Sequence, residues 1–251
     1  GANMVKALRY WLPAVGLTEE RVENRRRVQV FTPFGQCVFT HDRYIEELGT
    51  LYLIHYQLAK NQAEATSWYF FFNEFSMSEF TKEDFVRNLQ NYVSMHGESV
   101  AIRSLNDDFA CLLNTYLSRH KTSQQRVSPE NNISCPLGEL GLVDILDKRK
   151  HTYRKVTPTA SLLNPWIIYA VLIEQAGRRR QISLNELLTA QCNIGRIFNL
   201  DAIAMLDVLH EVELRGLLKI IRTAGLDVIE LLEDVDFQDC VEHYYMEMDK
   251  E

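Results

Sequence analysis

Six aromatic side chains lie within eight residues of this chain, Trp68, Tyr69, Phe70, Phe71, Phe72 and Phe75, in the stretch TSWYFFFNEF. Few places in a protein accept that much ring area. A membrane span needs about 20 consecutive apolar residues, and Asn73, Glu74 and Ser76 interrupt the run too soon. Exposed on one surface, the rings would form an aggregation-prone or partner-binding patch. A domain core absorbs roughly 150–250 Å² per ring, so core burial is the expectation and an interface the alternative. Asn73 and Glu74, set inside the run, must then find hydrogen-bond partners or reach water.

The chain has 251 residues, enough for one large domain or two ordinary ones, and 46% hydrophobic residues argue against disorder. A formal net charge of −7 gives no global attraction to nucleic acid or to an anionic membrane, so any polyanion site must be local. Cys37, Cys111, Cys135, Cys192 and Cys240 are far apart, odd in number and without a CxxC pair, which fits reduced thiols in a cytoplasm. The seven histidines have no spacing that places two imidazoles on one helical face for a metal. Gly1-Ala2-Asn3-Met4 reads as an expression scar with no signal sequence behind it.

Along the chain, Val28, Val30 and Phe34 are strand-friendly, Pro33-Phe34-Gly35 reads as a turn, and Thr50–Lys60 is apolar all round, as a buried helix is. Thr81 and Asp84 form a capping pattern before a helix with Phe85, Leu89, Tyr92 and Val93 inward. Leu105–Leu117 reads as another helix. The polar stretch 118–136 is a linker or long loop, and Leu142–Leu146 with Thr152–Val156 reads as a hairpin tipped by Lys148, Arg149 and Lys150. Three helical segments follow, one opened by a Ser183–Glu186 capping box, and then a candidate two-stranded wing. That order is the order of a winged helix-turn-helix. The predicted fold class is mainly α with small β-hairpins (α+β). An aromatic-rich helical domain over 1–158 precedes a winged-helix-like domain over 159–235 and an acidic C-terminal tail over 236–251.

A winged helix that reads DNA presents basic and amide groups from its third helix. Here that helix offers Asp201, Asp207, His210, Glu211 and Glu213, which would repel phosphates. Positive charge clusters elsewhere, in Arg25, Arg26 and Arg27, in the run Lys148, Arg149, Lys150, Tyr153, Arg154 and Lys155, and in Arg178, Arg179 and Arg180. These are the candidate DNA-binding residues, Tyr153 as a ring to stack on a base; solvated loops are the alternative. Catalytic signals are faint. There is no nucleophile elbow and no phosphate-binding glycine loop, and Asp107, Asp108, Asp144 and Asp147 are the weak candidates for a metal-dependent site.

At FTPFG, D-x-Y, ELGTLYLIHYQLA and WYFFFNEF…FT, across Phe31–Thr81, the chain resembles the bacterial domain-of-unknown-function family numbered 4007. The likeness continues more loosely through PLGELGLV (Pro136–Val143) and NPWIIYAVLIE (Asn164–Glu174). Members of that family look like components of DNA phosphorothioation systems, in which sulfur replaces a non-bridging phosphate oxygen and marks host DNA for antiphage defence. The resemblance implies the role of the SspB-type component, which nicks one DNA strand and works beside a cysteine desulfurase, an ATPase and a sulfurtransferase. It supplies no catalytic motif to place on particular residues. Two expectations follow: a nickase using Mg²⁺ or Mn²⁺, with no other cofactor evident, or a non-enzymatic DNA-binding or adaptor protein. Both imply DNA as a partner, no membrane, a cytoplasmic location and room for a homodimer.

Overall fold

Helix α3 (Leu48–Lys60) runs through the core, with ten of its residues buried. The computed structural model describes residues 1–117, 135–223 and 226–250; the predicted linker lies outside these except for Cys135 and Pro136. Before α3 come helix α1 (Ala2–Ala14), the antiparallel hairpin β1 (Thr18–Glu23) and β2 (Arg26–Phe31), and helix α2 (Pro33–His41). Pro33-Phe34-Gly35, expected to be a turn, is instead the first turn of α2. Proline at the start of a helix loses no hydrogen bond, and the Thr32 hydroxyl accepts from the Gly35 N–H at 2.9 Å. Gly35 is required there, since a Cβ would stand 1.8 Å from the Leu17 carbonyl oxygen.

The aromatic run is core. It folds as a short helix, α4 (Thr66–Tyr69), continued by a π-helical turn over Phe70–Glu74. All six rings are buried, with Phe71 at 0% exposure. They meet α5 (Lys82–Met95), whose Thr81/Asp84 capping box is formed, and α6 (Ile102–Tyr116). Asn73 finds partners on both sides of the molecule. Its Nδ2 donates to the carbonyls of Ala59 (2.9 Å) and Tyr69 (3.0 Å), and its Oδ1 accepts from the Cys192 N–H at 2.6 Å. Glu74 reaches the surface and accepts from Gln191. Asn73→Ala strips three buried backbone groups of a partner and is expected to cost roughly 2–3 kcal/mol, read from urea denaturation. A loss below about 0.5 kcal/mol would mean water replaces the amide.

The predicted basic hairpin is β4 (Val143–Asp147) and β5 (Thr152–Lys155), joined at its other edge by the short β3 (Glu79–Phe80), in the order β3-β5-β4. The C-terminal part has the winged-helix order. Helix α7 (Pro165–Ala176) is buried on nearly all sides and capped by Asn164. Then come β6 (Gln181–Ser183), α8 (Leu184–Thr189), α9 (Ile194–Ile197), α10 (Ala202–Leu214), β7 (Leu218–Thr223) and β8 (Leu226–Leu231). The wing is a three-stranded sheet, β6-β8-β7, because the residues before the Ser183 cap pair with β8. Ser183 accepts from the Glu186 N–H, but the Glu186 side chain turns to Arg179, so only half of the predicted capping box forms.

The C-terminal segment is not a solvated tail. Helix α11 (Phe237–Met248) starts at an Asp236/Asp239 capping box and buries Cys240, Val241, Tyr244 and Tyr245 against α2, α3 and α7. At Gly49 of α3 a Cβ would fall 2.3 Å from the Tyr244 ring, so the glycine sets how closely these helices approach. The acidic residues of α11 line its outer side, which is why composition reads as a tail. Among the described residues the buried hydrophobic side chains form one contiguous core. Among the described residues no helix is long and apolar enough to cross a membrane.

Candidate nucleic-acid interface

The three basic islands have different fates. Arg25, Arg26 and Arg27 are exposed around the β1–β2 turn, where Asn24 and Arg25 both take left-handed backbone (φ 50° and 62°), as a tight two-residue hairpin needs. Arg27 pairs with Glu20 at 3.2 Å. In the third island Arg179 makes a two-pronged pair with Glu186 (2.7 and 2.9 Å), Arg180 pairs with Asp234 (3.0 Å), and Arg178 is exposed and unpaired among the described residues. That island is largely neutralised by its own neighbours.

The β4–β5 tip is different. Lys148, Arg149 and Lys150 are exposed, and among the described residues none of their side chains has an ion pair. The turn is held by Asp147, whose carboxylate accepts the N–H of Arg149 (2.8 Å) and of Lys150 (3.2 Å). The backbone therefore fixes where three free cations project, and salt-dependent phosphate contact uses such an arrangement.

Two residues of this island do not belong to its outer face. Tyr153 is packed against Phe80 (centroids 5.9 Å) and Phe109 (5.7 Å), so its ring already has aromatic neighbours and is no free platform for a base. Lys155 is half-buried, and its ammonium points inward. It donates to the carbonyls of Phe71 and Phe75, both at 2.6 Å, and lies 4.6 Å from the Phe71 ring centroid. Burial, with the Arg196 charge adding to it, pushes this ammonium down to about 7. Those carbonyls belong to the π-helical segment and its exit, where regular helical partners are lost. Arg154 points out and pairs with Asp144 at 2.9 Å.

The carboxylates do not converge. Asp107 is exposed on α6, Asp108 accepts the Ser67 hydroxyl at 2.6 Å, Asp144 is held below the usual carboxylate range by its hydrogen bond from Arg154, and Asp147 is tied into the turn. Among the described residues no three His, Cys, Asp or Glu side chains come together as metal ligands would. The four aspartates do not fit a metal site.

The face of α10 is as acidic as its sequence implies. Asp207 and Glu211 are exposed, Asp201 caps the helix, and Glu213 accepts the Ile220 N–H at 2.7 Å. A cleft lies elsewhere, as two hollows of about 610 and 640 Å³ that share Gly16, Gln57, Lys60 and Glu174. There Lys60 donates to both Glu174 oxygens at 2.8 Å, Tyr56 donates to Glu174, and Gln175 donates to Tyr56 at 2.8 Å. These groups satisfy one another. Glu174 is too far in sequence from Tyr56 and Lys60 for any motif to reveal the cluster.

No curated protein matches the chain. Two crystal structures of SspB share its fold, one of them with a bound magnesium ion. The magnesium-bound structure is 26% identical, with a TM-score of 0.82 over 100% of this chain and 78% of its own. The other is 26% identical, with a TM-score of 0.81 over 99% and 76%. A family model described as protein of unknown function (DUF4007) matches residues 1–245, and the chain belongs to that family.

Proposed function

We propose that this protein is a DNA-binding component of a DNA phosphorothioation system, holding the duplex backbone with the β4–β5 tip. The observation that carries this reading is the trio Lys148, Arg149 and Lys150, fixed by Asp147 and left without counter-ions among the described residues. The likeness to SspB supports the system, and the acidic face of α10 favours backbone holding by the hairpin over base reading by that helix. Its partners under this reading are DNA and the desulfurase, ATPase and sulfurtransferase of such a system.

Single-strand nicking is the second reading, favoured by the magnesium ion of one SspB structure. No residue of this chain is assigned to cutting, because its candidate carboxylates are dispersed.

Reversing the three tip charges (Lys148→Glu, Arg149→Glu, Lys150→Glu) tests the first reading. Each phosphate contact contributes about 0.9 to the slope of log K against log salt on duplex DNA, so the triple variant should lose up to roughly 2.7 of that slope. An unchanged slope and affinity would show that the tip does not touch the backbone.

A further inference from the structure

A pocket of about 280 Å³ opens where β5 meets the α9–α10 junction, lined among others by Lys155, Arg196, Ser76, Ser78 and Asp201. Two cations share it. The Lys155 ammonium spends two protons on the Phe71 and Phe75 carbonyls and keeps a third. Arg196 uses only its Nε, on the Thr189 carbonyl at 3.2 Å, leaving both terminal nitrogens available. Among the described residues neither forms an ion pair with a carboxylate. The Ser76 and Ser78 hydroxyls also lack a hydrogen-bond partner there. The one carboxylate on the wall, Asp201, is engaged by the N–H groups of Ile203 (3.0 Å) and Ala204 (2.9 Å) at the start of α10.

Burial and the nearby Arg196 charge press Lys155 towards its neutral form, and an anion between the two would keep both charged. The free donors number more than a two-oxygen carboxylate would use. They suit a tetrahedral oxyanion with several acceptor oxygens. We propose that this pocket binds a phosphate group, held by Lys155 and Arg196 with the Ser76 and Ser78 hydroxyls at its rim.

The phosphate comes either from a DNA backbone, a source that rests on the function proposed above, or from a free phosphate or nucleotide. Position favours the backbone. Lys150 stands in the turn and Lys155 is the last residue of β5, so the tip and the pocket lie at the two ends of one hairpin arm. The tip cations and Lys155 are thus carried by one hairpin, and Arg196 of α9 joins Lys155 at its base.

The test uses the full chain and two variants, Arg196→Gln and Ser78→Asp, both at positions whose side chains are not in the core; their folding is checked by thermal melting. Lys155 is left alone because its removal would strip the π-helical carbonyls. Inorganic phosphate is titrated calorimetrically, and a duplex is titrated at several salt concentrations. Saturable phosphate binding weakened at least tenfold in both variants is the expected result. A fall of about 0.9 in the DNA salt slope of Arg196→Gln would identify the backbone as the source. An unchanged slope beside lost phosphate binding would identify a free phosphate compound. No saturable phosphate binding together with an unchanged slope overturns the pocket, even if wild-type protein binds DNA. Saturable phosphate binding without any DNA binding would keep the pocket and defeat the DNA reading.

Discussion

Phe71→Ser is expected to destabilise the protein by about 3–5 kcal/mol and to lower its melting temperature by roughly 10 °C. The ring is fully buried and packs against Phe72 (4.9 Å between centroids), Phe80 (5.3 Å), Phe75 (6.0 Å) and Phe85 (6.1 Å). Serine removes that area, leaves a cavity, and adds a hydroxyl among rings that cannot satisfy it. The same residue carries a carbonyl that holds Lys155, and the ammonium sits over its ring. The lesion therefore spreads to the β5 end of the basic hairpin. Wild-type melting in this variant would mean that the aromatic run contributes no core energy.

Acid should unfold the protein through His55 before its carboxylates are exhausted. The imidazole is fully buried on α3, flanked by Phe72 at 4.5 Å. Its Nε2 faces the Ile197 carbonyl at 2.8 Å and its Nδ1 faces the Tyr116 hydroxyl at 2.7 Å. A carbonyl only accepts, so Nε2 carries the proton and Nδ1 accepts from the tyrosine, which leaves the ring neutral. Burial lowers the pKa to about 4 from an ordinary 6.5. Between those values the unfolded chain binds a proton that the folded chain refuses. The stability contribution is complete above about pH 6.5 and lost as pH falls towards 4, in total roughly 3 kcal/mol. His55→Gln keeps a donor and an acceptor but does not titrate. Urea midpoints at pH 7 and pH 4.5 should therefore converge in that variant relative to wild type. Parallel acid losses in the two proteins would show that His55 is not the sensor.

Local signals were well preserved in the sequence. The Thr81/Asp84 box, the all-round apolar α3, the β4–β5 hairpin and the aromatic run each depend on neighbours in the chain, and each forms as their patterns imply. What escaped depends on distant partners. Pro33 and Gly35 carry turn chemistry, but Thr32 caps them into a helix whose close approach to Leu17 no local pattern contains. The acidic outer side of α11 masks an apolar face that only α2, α3 and α7 give meaning to. Of the site, the free cations at 148–150 were legible because a tight turn exposes its tip. Lys155 looks like the next member of the same run. A half-turn of strand alternation and the open carbonyls of residues 71 and 75 take it inward, towards Arg196, which no motif links to it.

The most direct test of the central claim is a mobility-shift titration of supercoiled plasmid with purified protein at rising salt, run in Mg²⁺, in Mn²⁺ and in EDTA. The DNA-binding reading predicts retardation at low salt that is released steeply as salt rises, in all three conditions; conversion to open circle in the metal-containing lanes would add nicking to it. No retardation at any salt, with or without metal, would contradict the claim that this chain holds DNA.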